Sequence, residues 1–183
     1  MTDLSTIAER FYKRYGCPNY LRRHSRLVGA IGRTLATARA AAGDRVDVEA
    51  VTLAAYLHDI GRSPLLRGDG REHNELSALV LAAEGLTVCV EPARGHAIYT
   101  VLDAATAPRT LEEKLVYLAD RRGGMAIEPL EVRAKDTARR HPKFADVIAR
   151  AIPLALAIER DVFAGLPFAP DALAAHVDVG ARS

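Results

Sequence analysis

The sequence predicts an all-α protein that folds as one domain over residues 1–183. Apolar residues recur at spacings of three and four along the chain, which is the period of a buried helix face. No stretch alternates long enough to form a half-buried strand. The chain has 183 residues, of which 49% are hydrophobic and 26% are charged, and this is enough for one core without disulfides. We therefore expect a helical bundle.

Capping residues, proline and glycine predict the helix boundaries in the first half of the chain. Asp47 and Thr87 are suitable N-caps, because their side-chain oxygens can accept a hydrogen bond from a free N–H of the first turn. Pro18 suits a first helical turn, and Gly43 suits the position after a helix C-terminus. On these signals we predict helices over about residues 3–14, 18–42, 47–61, 73–85 and 87–98, with a loop at 62–71.

The second half of the chain contains the clearest helix start. Thr110-Leu-Glu-Glu113 is a capping-box signature, and the pair Gly123-Gly124 ends the helix that it begins. Residues 103–109 form the connection before this helix. Further helices are predicted over about residues 129–139, 142–164 and 171–177, and we expect residues 179–183 to be frayed.

The composition argues against several classes of protein. The 25 basic and 23 acidic residues give a net charge of +2, which is short of the basic excess of a dedicated nucleic-acid binder. The two cysteines, Cys17 and Cys89, form no CxxC motif, so we expect neither a disulfide framework nor a thiolate zinc site. No window approaches the ~18 apolar residues of a membrane span, and the first residues lack the apolar run of a signal peptide. We therefore expect a cytoplasmic protein without a membrane partner.

Histidines and aspartates in or near the predicted helices are the main chemical signal. Imidazole nitrogen and carboxylate oxygen together suit divalent Fe, Mn, Zn, Ni or Mg, and the helices of a bundle bring distant ligands into one interior volume. Taken singly, each of these residues could be an ordinary polar residue of the core or surface. Their joint pattern favours a site for one or two ions. In chain order the candidates are His24, His58, Asp59, His73, His96 and Asp120.

The adjacency of His58 and Asp59 favours a two-metal site. Neighbouring residues of a helix point about 100° apart, so the two side chains cannot share one face. If both help to hold one ion, the second oxygen of Asp59 is free to bridge towards His73 and His96. Two ions about 3.5–4 Å apart grip a phosphoryl group in many phosphatases and nucleases.

Several segments occur in a characteristic order: His24, Leu57-His58-Asp59-Ile60-Gly61-Arg62, Glu72-His73, Gly95-His96 and residues 113–120. Together they resemble the HD superfamily of metal-dependent phosphohydrolases, and the His-Asp-Ile-Gly string resembles one subgroup of it. The segment 110–120 and the later helices are distantly similar to bacterial HD-type enzymes that split diadenosine tetraphosphate symmetrically. The resemblance implies an HD helical bundle over about residues 18–125, followed by additional C-terminal helices over about 126–178.

The resemblance also implies roles for the candidates. It implies hydrolysis of a phosphoester or phosphoanhydride of a nucleotide-like small molecule, with Asp59 orienting the nucleophile. Arg62 is the first candidate for a phosphate-binding catalytic residue, since a guanidinium can bind phosphate bidentately. Arg109, Arg121 and Arg122 rank below it. The primary metal ligands implied are His24, His58, Asp59 and Asp120, while His73 and His96 match the extra histidines of members with a second metal.

Two other interpretations stay open. A non-catalytic regulatory HD protein would use its metal to bind a nucleotide without hydrolysing it, and a purely structural bundle would bind no metal. All six positions carry residue types that can bind a metal, which favours the hydrolase. The apolar C-terminal helices either cover the bundle or form the surface of a homodimer. His141 and His176 lie outside the pattern, and we expect both on the surface.

Overall fold

The computed structural model describes residues 3–178, and this part of the chain is helical and contains no β-strand. The predicted all-α fold class is confirmed. Short 3₁₀ turns link several of the helices and include Ile60–Arg62, Thr87–Cys89 and Ile98–Leu102. The α-helices of the described residues are α1 (Leu4–Arg14), α2 (Asn19–Ala41), α3 (Val48–Leu57), α4 (His73–Ala83), α5 (Val90–Arg94), α6 (Leu111–Arg122), α7 (Leu130–Arg140), α8 (Ala145–Phe163) and α9 (Leu173–His176).

Local chemistry fixes most of the predicted helix ends. The Asp47 carboxylate accepts a hydrogen bond from the Ala50 N–H at 2.9 Å, and the Thr110 hydroxyl accepts one from the Glu113 N–H at 3.2 Å. Gly43 has a φ of +100°, the left-handed conformation that suits a glycine after a helix. These caps were predicted and are confirmed.

Two predicted boundaries are wrong. Thr87 does not cap a helix, because the 3₁₀ turn begins at Thr87 itself and its N-cap, Leu86, makes no side-chain hydrogen bond. The regular helix after it is confined to α5, and His96 lies beyond its end. Helix α3 ends at Leu57 rather than Gly61, and a separate 3₁₀ turn follows it.

The C-terminal helices are close to their predicted positions. Helix α7 begins after Pro129, and the predicted helix over 142–164 divides into a 3₁₀ turn and α8. His141 and His176 are exposed, as expected. The predicted fraying of 179–183 lies outside the described residues. Among the helices of residues 3–178, none combines the length and the apolar character that a membrane crossing requires.

Helix α3 forms the centre of the core and packs against α1, α2 and α6. Most of its residues are buried, since it is surrounded on nearly every side. Helix α2 approaches it closely: a Cβ placed on Gly29 would lie 2.4 Å from the Tyr56 ring, so a larger residue would push the two helices apart. This close packing brings the N-terminal part of α2 against the C-terminal end of α3, where the predicted site lies.

Candidate metal centre

The fold gathers all six predicted ligands in one place. Every one of the six side chains has a nitrogen or oxygen atom that lies within 3.8 Å of a side-chain nitrogen or oxygen of another of the six. Helices α2 and α6 present one ligand each, and the others lie at or beyond helix ends. In chain order, His24 lies in α2, His58 and Asp59 follow α3, His73 begins α4, His96 follows α5, and Asp120 lies in α6.

Four of these residues form a first cluster of donor atoms. The Nε2 atoms of His24 and His58 lie 3.2 Å apart, and Asp120 Oδ1 lies 3.2 Å from the first and 3.7 Å from the second. Asp59 Oδ2 lies 3.7 Å and 3.8 Å from the same two nitrogens. The members of this cluster are the residues for which the resemblance implies the primary metal site.

Asp59 also takes part in a second cluster. Its other oxygen, Oδ1, lies 3.5 Å from His73 Nε2 and 3.2 Å from His96 Nε2. The two oxygens of one carboxylate therefore face two different pairs of histidines. This is the arrangement expected of a carboxylate that bridges two ions.

The ring orientations of two histidines leave lone pairs pointing into the cluster. His58 Nδ1 lies 2.7 Å from the Ala55 carbonyl oxygen, and His96 Nδ1 lies 2.5 Å from the Ala93 carbonyl oxygen. Since a carbonyl oxygen can only accept, each Nδ1 must donate its hydrogen. In the neutral ring Nε2 then carries a lone pair. Metal-binding histidines commonly donate their second ring N–H in this way, which fixes the ring for the ion.

The electrostatics of the two carboxylates and of His73 and His96 favour a bound cation. Burial lowers the pKa of His58, but Asp59 and Asp120 outweigh its effect, so the pKa of this ring is raised. Burial raises the pKa of both Asp59 and Asp120, but neighbouring histidines and arginines outweigh it, so the pKa of each carboxyl lies well below its ordinary value. Burial lowers the pKa of His96, and it lowers the pKa of His73 to about 3, so both rings are neutral at pH 7. Ionised carboxylates and neutral imidazoles are the ligand forms that a divalent ion binds. The residues present fit Fe, Mn, Zn, Ni or Mg.

Two of the four arginines singled out in the sequence reach this cluster. Arg62 Nε lies 2.7 Å from Asp59 Oδ1, and Arg62 Nη2 lies 2.9 Å from His73 Nε2. Arg121 pairs with Asp120 Oδ2 and lies over the Tyr117 ring at 5.6 Å. Arg62 thus contacts the cluster at Asp59 and His73, and Arg121 contacts it at the opposite end, at Asp120 Oδ2.

The other two arginines lie elsewhere. The side chain of Arg109 donates to the carbonyl oxygens of residues 104 and 105 at 3.1 Å. Arg122 is buried and pairs with Glu159 of α8 at 3.2 Å, and it also donates to the Pro170 carbonyl oxygen. Both residues stabilise the structure around the site without contacting the donor set.

Arg133 of α7 also reaches the site, although it was not among the candidates predicted from the sequence. Its Nη2 atom lies 3.4 Å from Asp120 Oδ1, and its side chain is 19% exposed. The signal was available in the sequence, because Arg133 lies three residues after Leu130, one of the buried residues of α7, and is therefore close to its buried face. An arginine on the buried face of an amphipathic helix indicates a charged partner inside the protein.

Comparison with known proteins identifies the family. A model of the HD domain matches residues 21–125, which is more than half of the chain and includes all six clustered ligands. No curated protein and no solved structure matches the chain. The chain belongs to the HD domain family.

Proposed function

We propose that this protein is a metal-dependent phosphohydrolase that cleaves a phosphoester or phosphoanhydride bond of a nucleotide-like small molecule. The observation that carries the proposal is Asp59, whose two oxygens face separate pairs of histidines at 3.2–3.8 Å. HD domains bind divalent metals and are generally hydrolases. A bridging carboxylate between two such ions is suited to phosphoryl chemistry.

The six clustered residues would hold two metal ions between them. His24, His58 and Asp120 would hold one ion, His73 and His96 would hold a second, and Asp59 would be shared. Bound ions of this kind lower the pKa of a water molecule and neutralise charge on a phosphoryl group.

Arg62 is placed to bind the substrate beside this centre. Among residues 3–178, it donates two of its five N–H groups, one to Asp59 and one to His73, and its side chain is 48% exposed. The remaining N–H groups are available to phosphoryl oxygens. Asp59 orients the nucleophile. Arg62 offsets the negative charge of the phosphoryl group that the nucleophile attacks.

The substrate class is part of the proposal. The string His58-Asp59-Ile60-Gly61 supports it by its resemblance to a subgroup of HD phosphohydrolases, and the segment 110–120 supports it by its distant similarity to the HD enzymes that cleave diadenosine tetraphosphate. We therefore propose that a dinucleoside polyphosphate should be the first substrate tested, followed by mononucleotides and cyclic nucleotides.

The test combines metal content with a hydrolysis screen. The full chain is purified without chelator, its metal content is measured by mass spectrometry, and turnover is assayed with added Mn or Fe. We expect about two ions per chain and release of a phosphorylated product. A chelator should lower the melting temperature, since an ion that binds only the folded state stabilises it. One ion and no turnover across the screen would favour the regulatory alternative, and no metal with an unchanged melting temperature would favour the structural one.

A matched pair of variants assigns the activity to this site. Asp59→Asn keeps the size of the side chain but removes its charge, and we expect loss of turnover and of at least one ion with an unchanged helical circular dichroism spectrum. Asp146→Asn makes the same change on an 85% exposed side chain of α8 and should leave both readouts unchanged. A fully active Asp59→Asn protein would contradict the proposed function.

A further inference from the structure

Helix α7 brings a cationic side chain to the metal centre from outside the matched HD domain. Arg133 lies beyond residues 21–125, and its Nη2 atom is 3.4 Å from Asp120 Oδ1. Gly124 leaves room for both the Glu128 carboxylate and the Arg133 guanidinium, because a Cβ at that position would lie 2.5 Å from Glu128 Oε2 and 2.7 Å from Arg133 Nη1. Helix α7 therefore contributes a side chain directly to the site.

Arg133 is not needed to hold Asp120 in place. Asp120 Oδ2 is already paired with Arg121, whose guanidinium lies over the Tyr117 ring. The oxygen that Arg133 approaches, Oδ1, is the one that lies 3.2 Å from His24 Nε2 and faces the first cluster. An ion in that cluster would take Oδ1 as its ligand and would repel the guanidinium next to it.

Most N–H groups of the Arg133 guanidinium have no hydrogen-bond partner among residues 3–178. Within residues 3–178 its single side-chain hydrogen bond is the long contact with Asp120, which leaves four of five N–H groups without a protein partner. In the described part of the chain, Arg121 Nε is buried without a hydrogen-bond partner, whereas no nitrogen of the Arg133 side chain is both buried and unpaired. The free donors of Arg133 are thus accessible to a ligand that enters the site.

We propose that Arg133 binds a phosphoryl oxygen of the substrate at the Asp120 end of the metal centre, while Arg62 binds at the Asp59 and His73 end. The inference rests on the proposed function and extends it to a residue outside the family domain. A planar guanidinium with several free N–H groups matches the oxygens of a phosphoryl group, and an incoming anion would draw it from Asp120.

Phosphate binding to the Mn-loaded full chain tests this role without turnover. Isothermal titration calorimetry with inorganic phosphate is run on the wild type, Arg133→Gln, Arg133→Lys and Arg139→Gln, with metal content measured in parallel. Arg139 lies on the same helix with a 78% exposed side chain, so Arg139→Gln removes the same charge at the surface. We expect Arg133→Gln to keep its metal and to weaken phosphate binding roughly 10- to 100-fold. Arg133→Lys should fall between, and Arg139→Gln should match the wild type.

Two outcomes would overturn the inference. Loss of metal in Arg133→Gln, with unchanged phosphate affinity of the protein that stays loaded, would mean that Arg133 only positions Asp120. A metal-loaded wild type that binds no phosphate would exclude the subsite. If Arg133→Gln unfolds, Arg133→Lys decides the matter by the same two readouts. Failure of the proposed function would give a different result from failure of this inference. Phosphate binding would still depend on Arg133, but none of the phosphorylated compounds in the hydrolysis screen would be cleaved.

Discussion

Gly61→Ala should disrupt the site through one added methyl group. Gly61 lies in the 3₁₀ turn after the His58-Asp59 pair, and this turn rests directly on the first turn of α4. The Gly61 N–H donates to Ser77 Oγ at 2.9 Å, and that hydroxyl donates to the His73 carbonyl oxygen at 2.9 Å. The turn is therefore held against the helix that carries His73.

The size of the effect follows from the contacts that a Cβ would make. It would lie 2.0 Å from the His73 carbonyl oxygen, 2.7 Å from Ser77 N and 2.9 Å from Leu76 Cβ. An ordinary contact of 3.4 Å with that oxygen requires a movement of roughly 1.4 Å. The atoms in the way are backbone or Cβ atoms, which cannot rotate aside. We expect a loss of about 3 kcal/mol, the upper end for an overpacked core, or a melting temperature lower by roughly 6–12 °C.

Thermal unfolding followed by circular dichroism, together with metal content, checks this prediction. Movement of α4 takes His73 away from Asp59, so we expect the second ion to be lost before the first. Gly95→Ala is the control, because a Cβ there meets Glu91 O at 3.4 Å, an ordinary contact, and the residue precedes another predicted ligand, His96. A Gly61→Ala protein that has the same melting temperature as the Gly95→Ala control and keeps its full metal content would refute the reasoning.

Two further predictions concern buried groups away from the ligands. Arg122→Met should destabilise the protein by about 3–5 kcal/mol in urea unfolding, since it leaves the Glu159 carboxylate buried without its partner. The double variant with Glu159→Leu should recover much of that loss, and a single variant as stable as the double would contradict this. Burial raises the pKa of the Cys17 thiol to about 11 and that of the Cys89 thiol to about 12. Both stay protonated in the folded protein at pH 9–10 while unfolded thiols ionise, so stability should fall as the pH rises above about 9. Iodoacetamide at pH 8.5 should label both cysteines only in denaturant, and rapid labelling of the native protein would contradict the prediction.

Helix ends were predictable where a local hydrogen bond or conformation sets them. Asp47, Thr110 and Gly43 act within one turn of their own position, so the sequence was sufficient to place them. Thr87 has the right chemistry for an N-cap, but the chain there forms a 3₁₀ turn that starts at Thr87 itself. Local capping rules cannot say when a short 3₁₀ turn replaces the first turn of a regular helix.

The contacts of the arginines also depend on tertiary packing rather than on local sequence. Arg121 and Arg122 are neighbours on α6, and the sequence gives no ground for preferring one. Adjacent helix residues point about 100° apart, so packing sends Arg121 to Asp120 and Arg122 to Glu159 of α8. Arg133 reaches the site only because α7 folds back over α6.

The sequence by itself determined that the protein is helical, which six residues are the candidates for metal binding and which family they resemble. Residue type, spacing and order are sufficient for those conclusions, because periodicity and ligand chemistry are local properties. A bridging Asp59 was a hypothesis from the sequence, and the tertiary structure shows that its two oxygens face different histidine pairs. Only the tertiary structure revealed that Arg133 lies at the Asp120 end. These facts depend on the packing of helices that are distant in the chain, and the angle at which two helices meet depends on every side chain between them.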